Sequence, residues 1–280
     1  MPSQILAYKI TRSGIEELNT DLTDFDSLTT SLPTGLYTTF RTYGERTRVI
    51  GLRAHLERLY LPAKAQGIVP ALRKPYALRE VLFDLLQGLN MPEARVRLIL
   101  DTSVEQGTIY ILLQPMRALP AEIYSQGVPL EISRFSREKP SLKQTAFISE
   151  SAFDRTRVGG EVFEVLLTNK SRILEGMTSN FFYVRDEMLC TAGRGVLIGV
   201  TRQTVIALAK REQIKFCIKA LALKELPLIE EAFITSSSRG IVPVVQIGEQ
   251  QIGNGQVGAM TRKLMNLYET EVLSLAEEIS

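Results

Sequence analysis

Glu175-Gly-Met-Thr-Ser-Asn-Phe-Phe182, followed by Gly199-Val-Thr-Arg202, decides how this chain is read. The first stretch sets one acidic residue in a tight turn of Gly, Ser and Asn, which can hold a carboxylate in a buried pocket. The second precedes an apolar stripe, Val205, Leu208 and Ala209, and so opens a helix. The first N–H groups of a helix have no intrahelical acceptor. Together with the helix dipole they favour an anion. Thr201 adds a hydroxyl at the same place. Each stretch also has an ordinary reading, a surface turn and a capped helix start. Their combination suits a ligand with a ring nitrogen at one end and a phosphate at the other.

Working outward, Thr235-Ser-Ser-Ser-Arg-Gly-Ile-Val-Pro243 sets three serines at a strand end, where hydroxyls and N–H groups lie close together. Val162 to Thr168, Phe181 to Arg185, Phe233 to Thr235 and Val242 to Ile247 read as strands. Thr201 to Arg211 reads as a helix, Ser149 to Arg157 can be helical, and Met260 to Ile279 has helical periodicity throughout. Towards the N-terminus, Leu36-Tyr-Thr-Thr-Phe-Arg-Thr-Tyr43 is rich in β-branched and aromatic residues and reads as a strand. Gly44-Glu45 is a turn and Arg48 to Leu52 its short partner strand. Arg53 to Gln66 carries Ala54, Leu56, Leu59, Tyr60 and Ala63 at helical spacing and stops at Gly67. Leu78 to Gln87 is a second helix, and Arg95 to Leu100 and Gly107 to Leu113 are paired strands. Gln114 to Gly127, with two prolines and a glycine, is the connection between two domains. The expected organisation is an α+β domain over 1–117, a connection over 118–126 and a second α+β domain over 127–280. Hairpin-like connections favour α+β over a doubly wound parallel sheet.

Composition narrows the function. Lys plus Arg is 33 and Asp plus Glu is 31, a net charge of +2 with the basic residues scattered, so no polyanion surface is expected. With 45% hydrophobic residues over 280 positions, two modest cores can form. The two cysteines, Cys190 and Cys217, lack metal-ligand spacing, and a disulfide framework is not expected. A reducing cytoplasm is the default, with no signal peptide and no apolar run near the roughly 20 residues that span a bilayer. One histidine, His55, makes a multi-histidine metal site hard to build.

Pyridoxal phosphate (PLP) has the ring nitrogen and the phosphate that the first motifs suit. A buried Glu keeps the pyridine nitrogen protonated, which makes the ring an electron sink. The chemistry also needs a lysine to bond the aldehyde and carry the α-proton. Lys139 and Lys143 are candidates, and Lys143 has the more apolar surroundings, Leu142, Ala146 and Phe147.

Glu-Gly-x-x-Ser-Asn-x-Phe, then Gly-Val-Thr-Arg, then Ser-Ser-Ser-x-x-Ile-x-Pro-Val resembles the class IV aminotransferase family of PLP enzymes, fold type IV. That group includes branched-chain aminotransferases, D-amino-acid aminotransferases and aminodeoxychorismate lyases. Tyr37 to Tyr43, His55-Leu-Glu-Arg58-Leu59 and Phe163 to Asn169 resemble further family segments in the right order. The resemblance implies a two-domain, D-amino-acid-aminotransferase-like fold of mixed sheets with packed helices, and a homodimer. It implies that Lys143 is the Schiff-base lysine and that the second domain carries it. Glu175 would contact the pyridine nitrogen, supported by Asn180. Arg58, the Val200 and Thr201 N–H groups and Ser237 would bind the phosphate. Tyr37, Thr39, Arg97, Ser237 and Ser238 would line the substrate, an amino acid or a 2-oxo acid. Two departures stand out. Phe147 and Ile148 occupy the region where many of these aminotransferases carry a tyrosine after the lysine. Thr38-Thr39 replaces the Glu-Gly of branched-chain enzymes and resembles the lyase branch. The expected activity is amino-acid transamination. The alternatives are aminodeoxychorismate lyase, by elimination of pyruvate, and a chain that keeps the fold and the cofactor without turnover.

Overall fold

The computed structural model describes residues 5–133, 142–158 and 162–279. In chain order the elements are β1 (Leu6–Thr11), β2 (Gly14–Leu18), α1 (Phe25–Ser31), β3 (Gly35–Arg41), β4 (Arg48–Ile50), α2 (Leu52–Ala65), α3 (Pro75–Gln87), β5 (Ala94–Asp101), β6 (Ile109–Pro115), α4 (Ala121–Gln126), β7 (Val128–Ile132), α5 (Ala146–Glu150) and α6 (Ala152–Arg157). They continue with β8 (Val165–Asn169), β9 (Arg172–Gly176), β10 (Asn180–Arg185), β11 (Met188–Thr191), α7 (Val200–Arg211), β12 (Phe216–Ile218), β13 (Leu221–Ala222), β14 (Glu231–Ser236), β15 (Gly240–Ile247), β16 (Gln250–Gln251), α8 (Ala259–Leu275) and β17 (Ala276–Glu278). Two compact units result, one of Met1–Arg117, Leu142–Glu150 and Val272–Ser280, the other of Ala118–Ser141 and Ser151–Glu271. No described helix is long and apolar enough to cross a membrane.

The first unit is built on an antiparallel sheet ordered β2-β1-β6-β5-β3. Strand side chains alternate between faces. Leu36 and Phe40 of β3, with Val96, Leu98 and Leu100 of β5, pack into a core with Leu52, Leu56 and Leu59 of α2. Tyr37 and Ile99 go to the other face, with Phe25 and Leu28 of α1 and Ile148 of α5. The lysine segment groups with this unit, not with the second half of the chain. The reason is backbone pairing: Tyr37 N donates to Lys143 O at 2.8 Å, Thr145 N donates to Gly35 O at 2.9 Å, and Leu36 bridges Gln144. The chain between β3 and β4 turns through Gly44, Glu45 and Arg46, all with positive φ. Only an isolated bridge, Tyr43 to Arg48, links the two arms. The partner of β4 is β17, so the expected β3–β4 pairing is corrected. The C-terminal helix stops at Leu275 for the same reason, because the last described residues are drawn into a strand.

The second unit is a larger sheet, ordered β12-β11-β10-β14-β15-β7-β8-β9-β13. It also pairs β10 with β9 through Asn180 and Glu175. That pair closes the run β10-β14-β15-β7-β8-β9 on itself, around a core that includes Leu166, Ile173, Phe181, Ile234 and Val244. The β7–β8, β7–β15 and β11–β12 pairs are parallel and the others antiparallel. The connection expected over 118–126 holds the short helix α4. Cys190 and Cys217 are partners across the parallel β11–β12 pair. Their Cα atoms are 4.7 Å apart and a disulfide joins them, within the usual reach of such a bond. The sequence reading expects no disulfide framework, and this one bond corrects it.

Candidate functional site

In the first unit the alternation of β3 sorts its residues. Thr38, fully buried, points towards α2, where its Oγ1 lies 2.6 Å from His55 Nδ1. The Thr38 hydroxyl is thus committed to the histidine. Tyr37 and Thr39 face the opposite way. Lys143 Nζ sits 4.9 Å from the centroid of the Tyr37 ring, a cation–π contact. The Arg97 guanidinium is 5.2 Å from the same ring and 5.2 Å from that of Phe25.

Arg97 is buried and tied into the protein. Its Nε donates to Thr39 Oγ1 at 3.0 Å. Its Nη1 donates to Phe25 O at 3.1 Å, Asp26 Oδ1 at 2.8 Å and Thr29 Oγ1 at 2.7 Å. These bonds fasten α1 to the sheet and fix the surface on which Tyr37 and Thr39 stand. Arg58 follows His55 by one helical turn of α2. Burial, then the nearby cations Arg58 and Lys143, hold the imidazole pKa well below its ordinary 6.5, so His55 is neutral. Phe147 and Ile148 are buried, and Ile148 packs in the apolar cluster with Tyr37 and Ile99. Neither supplies a hydroxyl where many family members carry a tyrosine. Lys139 lies outside the described residues.

In the second unit Glu175 is the last residue but one of β9 and is buried. Its Oε2 accepts from Asn180 Nδ2 at 3.2 Å and from Leu197 N at 2.9 Å. Asn180 Nδ2 also donates to Leu197 O at 2.7 Å. Gly199 is needed here for space, since a Cβ would lie 2.1 Å from Asn180 Oδ1. Gly176 is needed likewise, because a Cβ would meet Ser179 Oγ at 2.1 Å.

Gly199 caps α7 with extended backbone and without a side-chain bond, so the first N–H groups, those of Val200 and Thr201 among them, have no side-chain cap. Thr201 caps nothing. Its buried Oγ1, like that of Thr235, has no hydrogen-bond partner among the described residues. Thr235 is the register partner of Asn180 on β14. The chain then turns through Ser237, Ser238 and Arg239 to Gly240, which takes the left-handed conformation usual for closing a three-residue hairpin loop. Ser237 and Ser238 are half-buried at its tip.

Arg202 is a residue whose role the sequence reading left open. It is buried, its Nη2 donates to Ala192 O at 2.9 Å, and burial lowers its pKa while the Glu175 charge opposes that shift. The Glu175 charge favours the charged form of Arg202. Its signal was present in Gly199-Val-Thr-Arg202, but an arginine in a first helical turn normally reads as solvated.

Known proteins share both the sequence pattern and the fold. The amino-transferase class IV family matches residues 35–247. A branched-chain-amino-acid aminotransferase of Escherichia coli (strain K12) is 28% identical over 236 residues, which are 77% of this chain and 76% of that one. The structure of a T.th. branched-chain amino acid aminotransferase with pyridoxamine 5'-phosphate superposes with a TM-score of 0.78 at 19% identity, covering 98% of each chain. A 4-amino-4-deoxychorismate lyase from Pseudomonas aeruginosa superposes at 0.71 and 24% identity, covering 85% of this chain and 91% of that chain. The expected α+β, fold-type IV architecture is borne out, and the chain belongs to the class IV aminotransferase family.

Proposed function

We propose that the protein is a pyridoxal 5'-phosphate-dependent amino-acid aminotransferase that moves an amino group between an amino acid and a 2-oxo acid. The observation that carries this reading is the paired arrangement in the second unit: a buried Glu175 held by Asn180 and Leu197, with the uncapped start of α7 nearby in sequence. The donor set fits the cofactor. Two buried hydroxyls without partners among the described residues, Thr201 and Thr235, and a helix N-terminus without a side-chain cap call for an anion with several acceptor oxygens. A carboxylate held on one oxygen by an amide and a backbone N–H suits a protonated ring nitrogen.

When bound, the cofactor supplies an electron sink for the carbanion at the substrate α-carbon. Lys143 is the group that bonds its aldehyde. As a free amine, Lys143 Nζ would take the α-proton and return it on the other side of the reaction. The Tyr37 ring beside Nζ restrains where that amine can swing. His55, held neutral, adds no third positive charge next to Arg58 and Lys143. Arg58, the Val200 and Thr201 N–H groups and Ser237 hold the phosphate. Glu175 would hold the ring nitrogen. Tyr37, Thr39, Ser237 and Ser238 line the substrate, and Arg97 fixes Thr39. A homodimer is part of the proposal, on the strength of the family resemblance.

The second reading, elimination of pyruvate from aminodeoxychorismate, is favoured by Thr39, whose Oγ1 lies on the Tyr37 face of β3. The test is borohydride reduction of protein loaded with PLP, followed by peptide mass mapping. The expected mass increase sits on Lys143 and is lost in Lys143→Ala. Amino transfer to a 2-oxo acid supports the aminotransferase, whereas pyruvate release without an acceptor supports the lyase. Attachment and turnover that survive in Lys143→Ala would overturn the assignment.

A further inference from the structure

Glu164 is fully buried and belongs to none of the roles above, yet it collects five donors. Its Oε1 accepts from Val165 N at 3.1 Å. Its Oε2 accepts from Thr178 N at 3.3 Å, Thr178 Oγ1 at 2.5 Å, Ser179 Oγ at 3.2 Å and Arg239 Nη2 at 3.0 Å. Arg239 is itself mostly buried, with a side chain 17% exposed. Its Nη2 also donates to Thr178 Oγ1 at 2.6 Å and its Nε to Ser236 Oγ at 3.0 Å, while its carbonyl accepts from Tyr124 Oη at 3.0 Å. Its guanidinium lies 5.4 Å from the centroid of the Phe163 ring.

These two side chains join three segments of the second unit. Glu164 stands at the entry to β8. Thr178 and Ser179 belong to the turn between β9 and β10. Arg239 and Ser236 belong to the hairpin loop between β14 and β15. The β10–β14 ladder runs from Val184 with Glu231 to Asn180 with Thr235 and ends there. The Glu164–Arg239 bridge continues the connection where the ladder stops. The turn is wrapped on Glu164 so closely that a Cβ on Gly176 would lie 3.2 Å from Glu164 Cγ.

We infer that the Glu164–Arg239 ion pair is a positioning device that fixes the Glu175–Asn180 turn and the Ser237–Ser238 loop relative to each other, and with them the ring-binding and phosphate-binding groups. The inference rests on the proposed PLP site. Its physical basis is that a buried carboxylate satisfied by several donors cannot move without leaving an unpaired charge. Any displacement of one loop must carry the other with it. Neither Glu164 nor Arg239 touches substrate or cofactor in this account.

The experiment uses Arg239→Met and, as a milder pair, Glu164→Gln and Arg239→Lys. PLP affinity is measured by equilibrium titration, and amide hydrogen exchange is measured on the cofactor-free protein. The expected result for Arg239→Met is a dissociation constant for PLP raised at least tenfold. Exchange is expected to quicken in both 176–180 and 236–240 while 181–184 and 231–235 stay protected. Arg239→Lys, which keeps one charged donor, is expected to recover part of the affinity. A purely structural role would speed exchange along the whole β10–β14 ladder. That result would overturn the inference, as would loosening of the 236–240 loop alone or an unchanged affinity. If Arg239→Met does not fold, the two milder variants are read by the same criteria. A wild-type protein that takes up no PLP overturns the cofactor reading and this inference with it, and the wild-type titration separates that case from the others.

Discussion

Replacing Gly199 by Ala tests whether Asn180 is held as tightly as the structure indicates. The backbone at Gly199 has φ −67° and ψ 145°, a conformation any residue adopts, so the substitution carries no dihedral strain. The new Cβ would lie 2.1 Å from Asn180 Oδ1 and 3.3 Å from its Cγ. Asn180 must therefore move, and it is buried. Moving it breaks Nδ2 to Glu175 Oε2 and Nδ2 to Leu197 O. A hydrogen bond to a charged group is worth about 1.5–3 kcal/mol and a neutral one about 0.5–1.5 kcal/mol. Loss of both costs about 2–4.5 kcal/mol, offset by about 0.4–1 kcal/mol from the stiffer unfolded chain. For a chain of this length the net loss lowers Tm by about 2–7 °C. Calorimetry on Gly199→Ala, Asn180→Ala and the double variant reads this directly. With Asn180 already truncated, the added methyl has nothing to displace, so the double variant is expected to be no less stable than Asn180→Ala. Two losses that add, or a Gly199→Ala protein within about 0.5 kcal/mol of wild type, would refute the reasoning.

The other expectations are independent of that one. Thr201→Val replaces a buried hydroxyl that has no partner among the described residues by a methyl of the same shape; the cofactor-free protein is expected to gain up to about 1 kcal/mol by thermal melting. The same variant is expected to bind PLP about tenfold more weakly by titration, because a ligand oxygen loses its donor. His55 is the only histidine, and its pKa lies well below 6.5 in the folded state. Below pH 6.5 the unfolded chain takes a proton that the buried ring refuses, so stability falls with falling pH by at most about 1.4 kcal/mol per unit. His55→Gln is expected to flatten denaturation midpoints between pH 6.5 and about 5, where carboxylates take over. The Cys190–Cys217 disulfide spans a sequence separation of 27, for which loop-closure entropy sets a ceiling of about 3.5 kcal/mol. Urea midpoints with and without a thiol reductant are expected to differ in wild type and to coincide in Cys217→Ser.

Much of the architecture was legible because period and composition agree with the final packing. The strand at Leu36 to Arg41 alternates between an α2-facing and an α1-facing row, and α2 buries His55, Leu56, Leu59, Tyr60 and Ala63 at helical spacing. What escaped notice has identifiable causes. The two-residue hairpin loops at Lys170-Ser171 and Asp186-Glu187 adopt positive φ without glycine or asparagine, so the usual turn signal before β9 and β11 is absent. The strand β2 is almost wholly exposed and shows no alternation. Ala276-Glu-Glu278 has helix-forming residues but pairs with β4, which lies more than 200 positions earlier. Pairing at that distance overrides local propensity, and no local window contains it.

The site divides along the same line. Motif order identified the turn at Glu175, the helix start at Val200 and the serine loop, because each needs particular residues close together in sequence. The role of the other buried glutamate could not be read this way. Glu175 carries the Glu-Gly-x-x-Ser-Asn motif, whereas nothing in the sequence neighbours of Glu164 marks a role for it. Its partners do. Glu164 receives donors on both oxygens and pairs directly with Arg239, 75 residues away, so its charge is spent within the protein. Glu175 accepts from Asn180 and Leu197 within its own unit, and its charge favours that of Arg202. The commitment of Glu164 to Arg239 is the physical reason to give it the scaffold role in the proposal above, and the ring nitrogen stays with Glu175 on the strength of its motif.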